Sequence, residues 1–210
     1  YNKNQITSLA GDITTIPFVT SSLEQTSVNK VGSPASMLYV VRTDGVDPAT
    51  GRRIFINAKG EKVYFNKADA IKYKYEDGKT APTVGVKDAV VYKNTNPKFL
   101  GGLENTFRYK AFELNVLLTY QTGFYVYYGS NAGLRDQRYW NNSTDVLNRW
   151  QKDGDQTDMP RVVYGDNISN GSSFAIAANV FKGDFVKLNT VGLSYTVPEK
   201  AARSIRLQGA

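Results

Sequence analysis

Residues 97–126, PKFLGGLENTFRYKAFELNVLLTYQTGFYV, alternate with a period of two, the spacing of a strand with two unlike faces. One face collects Leu103, Phe107, Tyr109, Phe112, Leu114, Val116 and Leu118; the other holds Glu104, Thr106, Arg108, Glu113, Asn115 and Thr119. A turn at Lys110-Ala111 predicts an antiparallel pair, 97–109 against 112–126, with Phe107 opposite Leu114 and Leu103 opposite Leu118. The same register sets Arg108 opposite Glu113 and Thr106 opposite Asn115 on the polar face. A cross-strand charge pair adds a few tenths of a kcal/mol, and a slip of one residue would invert both faces. Apolar matching and charge matching agree on one alignment.

The remaining chain reads as further strands between polar loops. Residues 1–10 read as the tail of a strand, followed by a Ser/Thr-rich link to Lys30. SMLYVVRTDGV (36–46) reads as a strand ended by Asp-Pro and Gly, and RRIFINAKGEKVYFN (52–66) as a hairpin. KADAIKYKY has room for one or two helical turns, and 77–96 reads as loop. A long polar segment, 129–179, holds Tyr139, Trp140, Trp150 and a short helix TDVLNRW with Thr144 as N-cap. FVKLNTVGLSYTVP (185–198) predicts a strand with Val191, Leu193, Tyr195 and Val197 on one face. EKAARS is then a connection and IRLQGA the start of another strand. No internal repeat is visible.

Composition excludes several chemistries. The 210 residues contain no Cys and no His, which removes thiol nucleophiles, His bases, disulfides and the usual zinc and copper ligands. The net charge of +7 is dispersed, without a run of five basic residues, so no nucleic-acid stripe is expected. Asp153, Asp155 and Asp158 lie in a Gly-containing polar loop that lacks the twelve-residue frame of a calcium hand, and reads as a solvated turn. No catalytic residue, cofactor or metal is expected, and the chain does not read as an enzyme.

Two architectures satisfy the alternation: a sandwich that buries the apolar face, and a membrane barrel that turns it to lipid. Tight turns at 110–111 and 198–203 alternate with the long loop 129–179, whereas a sandwich has mostly short turns at both ends. That asymmetry, with aromatic residues around apolar strand faces, is the pattern of outer-membrane barrels.

Four blocks carry a resemblance to a known family. NTNPKFLGGLENTFRYKAFELNVLLTYQTG (94–123), VGSPASMLYVVRTDGVDPATG (31–51), LNRWQKDGDQTDMPRVV (147–163) and GDFVKLNTVGLSYTVPEKAARSIRL (183–207) occur in the family's order. Together they resemble the SusC/RagA-type TonB-linked outer-membrane transporters of Bacteroidetes. Ala111 stands where the family usually has Gly in the tight turn, Asn94-Thr95 replaces the commoner Gly-Asn, and Ser194 stands where Gly is usual. If position 111 needs φ > 0, Ala costs about 1 kcal/mol, and a turn wider than two residues is expected.

The resemblance implies an all-β fold: part of a large up-and-down antiparallel barrel, residues 1–210 being a C-terminal portion, with the plug domain and final strands outside it. It implies import of glycans or peptides, a SusD-like lipoprotein lid, coupling to TonB through a missing N-terminal region, contact with outer-membrane lipid, and an outer-membrane location. Tyr109, Phe112, Tyr120, Phe124, Tyr125 and Tyr195 become candidates for interfacial aromatic girdles. Tyr139, Trp140 and Trp150 become candidates for ligand or lid contact, against the alternative that they pack the loop on itself. The other reading of the whole chain is a soluble β-rich module binding glycan or protein at a cell surface.

A barrel removes its strand edges only by closing. The chain expressed alone is therefore expected in inclusion bodies, or to need detergent. A sharp, reversible melt of a detergent-free monomer, checked by sedimentation, would overturn the barrel reading.

Overall fold

The computed structural model describes residues 1–11, 13–19, 25–138 and 141–204, and within these not the side chains of 16–19, 25, 200, 201 and 203. The fold is all-β and antiparallel, in two compact units: Lys3–Asn96 with Phe124–Lys182, and Tyr1–Asn2 with Pro97–Gly123 and Gly183–Ala210.

In the larger unit β1 (Thr15–Val19), β2 (Gln25–Lys30), β3 (Met37–Val46), β4 (Arg53–Ile56), β5 (Lys62–Phe65) and β6 (Tyr73–Lys74) follow one another across a sheet. The short β7 (Ala89–Val91) pairs with the first half of β3, Tyr39 opposite Val91, while the second half of β3 pairs with β4. The hairpin expected over 52–66 forms, with Phe55 opposite Val63. Its NAKG turn closes because Asn57 Oδ1 accepts the Lys59 and Glu61 backbone N–H groups at 3.0 and 2.9 Å. Phe55, Val63 and Phe65 point into a core with Val41, Ala81, Val84, Phe174 and Ile176.

Several local expectations differ from the structure. Residues 1–10 contain no strand; they touch their surroundings through isolated bonds such as Ile6 N–H to the Ser33 carbonyl (2.9 Å). The link before Lys30 holds β1 and β2, and Pro17, which lacks an N–H, sits in an edge strand, where Pro is tolerated. KADAIKYKY forms no helix. Asn66 Oδ1 accepts the Ala68 N–H (3.1 Å) and Asn66 Nδ2 donates to Asp69 (2.7 Å), a local competitor to helix that delivers Tyr73 to β6. Residues 77–96 include a 3-10 turn, Val86–Asp88, as well as β7.

The segment 129–179 is ordered around polar contacts. It starts after β10 (Tyr125–Tyr127), which pairs with β11 (Val180–Lys182), and opens with α1 (Gly129–Leu134). The expected helix at TDVLNRW is a 3-10 turn, Thr144–Asn148, with Ser143 rather than Thr144 at the N-cap, and it stops where Arg149 becomes extended. Ile176 bridges to Val41, and the Val41 N–H donates to the Ala175 carbonyl at 2.9 Å.

Arg53 ties this segment to the sheet. Only 1% exposed, it donates to the carbonyls of Ser169 (2.7 Å), Asp158 (2.8 Å) and Gly45 (3.2 Å). Burial pushes its pKa down to about 10, partly offset by the Asp158 carboxylate, so it stays charged at neutral pH. Around it Asn131 donates to Asn179 (3.2 Å), Asn179 to the Asn170 carbonyl (2.9 Å) and Asn170 to the Arg135 carbonyl (2.8 Å). The carbonyls of Arg135, Asp158, Ser169 and Asn170 thus each have a side-chain donor.

The smaller unit is a three-stranded sheet in the order β12-β9-β8: β8 (Phe99–Tyr109), β9 (Phe112–Thr122) and β12 (Phe185–Tyr195). The expected register holds throughout, with Phe107 opposite Leu114 and Arg108 opposite Glu113. The turn stays at two residues: Lys110 takes the left-handed conformation (φ 54°) and Ala111 does not. The second strand ends at Thr122 rather than 126, and EKAARS is the helix α2 (Glu199–Ser204). The strand expected at IRLQGA lies outside the described residues.

Arg53→Ala leaves the carbonyls of Ser169, Asp158 and Gly45 without their donor. A loss on the order of 3–5 kcal/mol is expected for the larger unit. Faster hydrogen exchange and proteolysis across 158–171, with the three-stranded sheet unaffected, would report it.

Candidate functional site

The distinctive surface is the pair of faces of the β12-β9-β8 sheet. β9 is hydrogen-bonded on both edges, so its alternation is transmitted to both neighbours. On one face Leu103, Phe107 and Tyr109 of β8 lie beside Phe112, Leu114, Val116, Leu118 and Tyr120 of β9. Beyond them come Val186, Leu188, Val191, Leu193 and Tyr195 of β12. Asn105 is the one polar side chain among them. The face is open: Leu103 is 58% exposed, Val191 59% and Leu193 71%.

β12 reaches this face at both of its ends only because of a bulge. Strict alternation would send Leu188 and Val191 to opposite sides. The ladder shifts between Leu188 and Thr190, leaving Asn189 as the extra residue. Leu188 then opposes Leu118 and Val191 opposes Val116, both on the apolar face. Asn189 turns to the polar face, where its amide donates to Thr119 Oγ1 at 2.9 Å.

The polar face is a hydrogen-bonded ladder. Arg108 Nε donates to Glu113 (2.6 Å), and Asn115 Nδ2 donates to Glu104 and Thr106 (both 3.1 Å). The Arg108–Glu113 pair is exposed, so it favours register more than stability. Leu100, Leu117 and Phe185 are the apolar interruptions of this face.

Aromatic side chains collect at both ends of the apolar face. Tyr109, Phe112 and Tyr195 stand side by side at the hairpin end, the last two with ring centroids 4.7 Å apart. Tyr120 lies at the other end, its ring across Gly101, where a Cβ would come within 2.9 Å of it. Tyr1 stacks on Phe99 there, at 5.5 Å. Phe124 and Tyr125 fall in the larger unit, and Lys93 sits 5.1 Å from the Tyr125 ring. Phe99 and Tyr109 stand roughly 34 Å apart along β8 at about 3.4 Å per residue. A strand tilt of about 40° converts that to about 26 Å of height, beside about 25 Å for the apolar band of an outer-membrane barrel. All three strands have 11 residues, at the upper end of the roughly 9–11 that span a bilayer.

In the loops, Trp150 packs on the Asp47–Gly51 turn. Its indole N–H donates to the Pro48 carbonyl (2.7 Å), and its ring lies where a Cβ on Gly51 (φ 69°) would sit 2.5 Å away. Arg161 covers the ring at 5.8 Å. Tyr139 and Trp140 lie outside the described residues. A small cavity of about 120 Å³ next to them in sequence is lined by Arg135, Asp136, Gln137, Arg138, Asn142, Val146, Met159 and Val162. Its buried carboxylate is occupied: burial pushes the Asp136 pKa up, but the bonds from Arg138 and Ser172 outweigh this and hold it below the usual carboxylate range. Asp155 accepts the Gln151 and Lys152 N–H groups (2.9 and 3.0 Å), which lower its pKa as in a capped turn. Among the described residues no three acidic, His or Cys side chains converge as metal ligands, and no helix is long and apolar enough to cross a membrane.

No protein-family model matches the chain. It is similar to two curated proteins of Formosa agariphila: TonB-dependent receptor P26, 29% identical over 130 residues, and TonB-dependent receptor P3, 24% identical over 131. Each similarity covers 60% of this chain, which spans 12% of the length of either relative. Among solved structures, the RagAB peptide transporter superposes over 98% of this chain and 20% of its own, with a TM-score of 0.68 and 18% identity. The RagAB peptide importer in its open-open state superposes over 94% and 19%, with a TM-score of 0.66 and 18% identity. At that identity the likeness establishes the fold. Together with the curated relatives it supports the resemblance to SusC/RagA-type transporters drawn from the four sequence blocks.

Deleting Asn189 should regularise β12 without moving a side chain to the other face, whereas deleting Gly192 should turn Leu193 and Tyr195 over. The chain has no cysteine, so a cysteine at 193 is unique within it. The emission of an environment-sensitive maleimide dye on it should be unchanged by the first deletion and shifted by the second.

Proposed function

We propose that this chain is a stretch of a TonB-dependent outer-membrane transporter that imports peptides or oligosaccharides together with a SusD-like lipoprotein. In this reading the β12-β9-β8 sheet is part of the barrel wall, its apolar face against lipid and its polar ladder toward the lumen. The tight Lys110-Ala111 turn is periplasmic, and the larger unit supplies extracellular loops. The observation that carries the reading is the open apolar face: fourteen positions on three strands with one polar interruption is more contiguous apolar surface than a soluble monomer usually leaves exposed.

The resemblance supplies the lid and the coupling to TonB. The names of the similar proteins, receptors coupled to TonB and a peptide transporter, favour the same class, and the second of them favours peptide cargo. Tyr109, Phe112 and Tyr195 form one interfacial girdle in this reading, and Tyr120 belongs to the other. Tyr139 and Trp140 are the loop aromatics available for lid or cargo contact. Trp150 has its N–H committed to Pro48, so any contact it makes uses the ring.

The alternative, a soluble surface module, finds support in the larger unit's own buried core. Two adjacent residues separate the readings. Val191→Arg places a charge on the apolar face near mid-strand, at a cost of about 2–4 kcal/mol if that face meets lipid. Thr190→Arg places the same charge on the polar face and should be tolerated. A drop in heat-modifiable, membrane-assembled protein for V191R alone is the expected result. Equal assembly of the two variants would sink the barrel reading, because an arginine on a water-exposed face costs little.

A further inference from the structure

Two lysines mark the ends of β8, and both lean the same way. Lys98 immediately precedes Phe99, and Lys110 immediately follows Tyr109. The ammonium of each lies over the neighbouring outward-facing ring: 5.7 Å from the Phe99 centroid and 5.3 Å from that of Tyr109. Both lysines are exposed, and among the described residues neither forms an ion pair. Arg108, by contrast, is committed to Glu113 on the polar face. An exposed cation over a ring is held only weakly, and each ammonium keeps its N–H donors for another partner.

The spacing identifies that partner. Lys98 and Lys110 flank β8, whose ends stand roughly 34 Å apart at about 3.4 Å per residue. At a tilt of about 40° that is about 26 Å of height, so each lysine stands at an edge of an apolar band of about 25 Å. A lysine stem at such a level lies along apolar surface and lifts its ammonium to the headgroups. We propose that Lys98 and Lys110 are two binding sites for the phosphate of anionic membrane lipids, one at each edge of the apolar face, with the Phe99 and Tyr109 rings holding the ammonium on the lipid side. This rests on the reading of that face as lipid-facing.

The test uses the complete transporter polypeptide in detergent, titrated with dioleoylphosphatidylglycerol and read by native mass spectrometry. Lysine near an anionic headgroup contributes about 1 kcal/mol, or about fivefold in affinity. Lys98→Gln and Lys110→Gln should each weaken one of two bound lipids about fivefold, and the double variant should weaken both about fivefold. Lys98→Arg and Lys110→Arg should retain it. Lys187→Gln, on the polar face, should leave it unchanged. Unaltered binding in the double variant, or an equal loss in K187Q, overturns the proposal. Displacement of the lipid by millimolar inorganic phosphate would make these sites for a free anion and overturn the lipid assignment. In the same preparation, fluorescence of L193W should be quenched by brominated lipid. Quenching with no lysine effect sinks only the headgroup sites; absence of quenching sinks the lipid-facing reading itself.

Discussion

β9 is hydrogen-bonded along both edges, and a strand held on two sides has no freedom to choose its faces independently of its neighbours. Its apolar residues at 112, 114, 116, 118 and 120 therefore oblige β8 and β12 to present like residues beside them. β8 complies by uninterrupted alternation. β12 complies through the extra residue Asn189, which corrects a parity error between Leu188 and Val191 and meets Thr119 on the polar side. Two faces of opposite character follow from one central ladder, and the transport reading depends on that contrast.

In the larger unit the corresponding constraint is the hydrogen-bonding demand of an irregular segment. A chain as long as 129–179 with little regular structure carries many carbonyls that helix or sheet would otherwise satisfy. Arg53 answers two from β4, and the buried amides of Asn170 and Asn179 answer others. Trp150 closes on the Asp47–Gly51 turn, where Gly51 leaves room for the ring. The segment is consequently an ordered loop unit with its own polar core.

The register of the β8–β9 hairpin was legible because neighbours in sequence made its pairing: apolar matching and the Arg108–Glu113 pair lie within thirty residues of one another, although β9 ends at Thr122 rather than 126. The β4–β5 hairpin was legible for the same reason, with Asn57 closing its turn. β7 was not, since Ala89–Val91 becomes a strand only by meeting Tyr39–Val41, some fifty residues away. The helical turns expected after Asn66 lost to a side-chain-capped turn, and the helix expected at Thr144 shortened to a 3-10 turn. Ala111 raised the expectation of a wide turn, but the left-handed residue is its neighbour Lys110.

The sequence by itself determined the two faces of the β8–β9 pair, the absence of thiol and imidazole chemistry, and a family resemblance carried by four ordered blocks. These rest on period, composition and local spacing, which need no fold to be read. Only the tertiary structure decided that β12 joins the same apolar face through a bulge, that Arg53 is the donor at the centre of the loop unit, and that Lys98 and Lys110 lean over outward-facing rings. Each depends on which residues far apart in the chain, or on which side of a strand, come within bonding distance, and alternation alone carries no information about that.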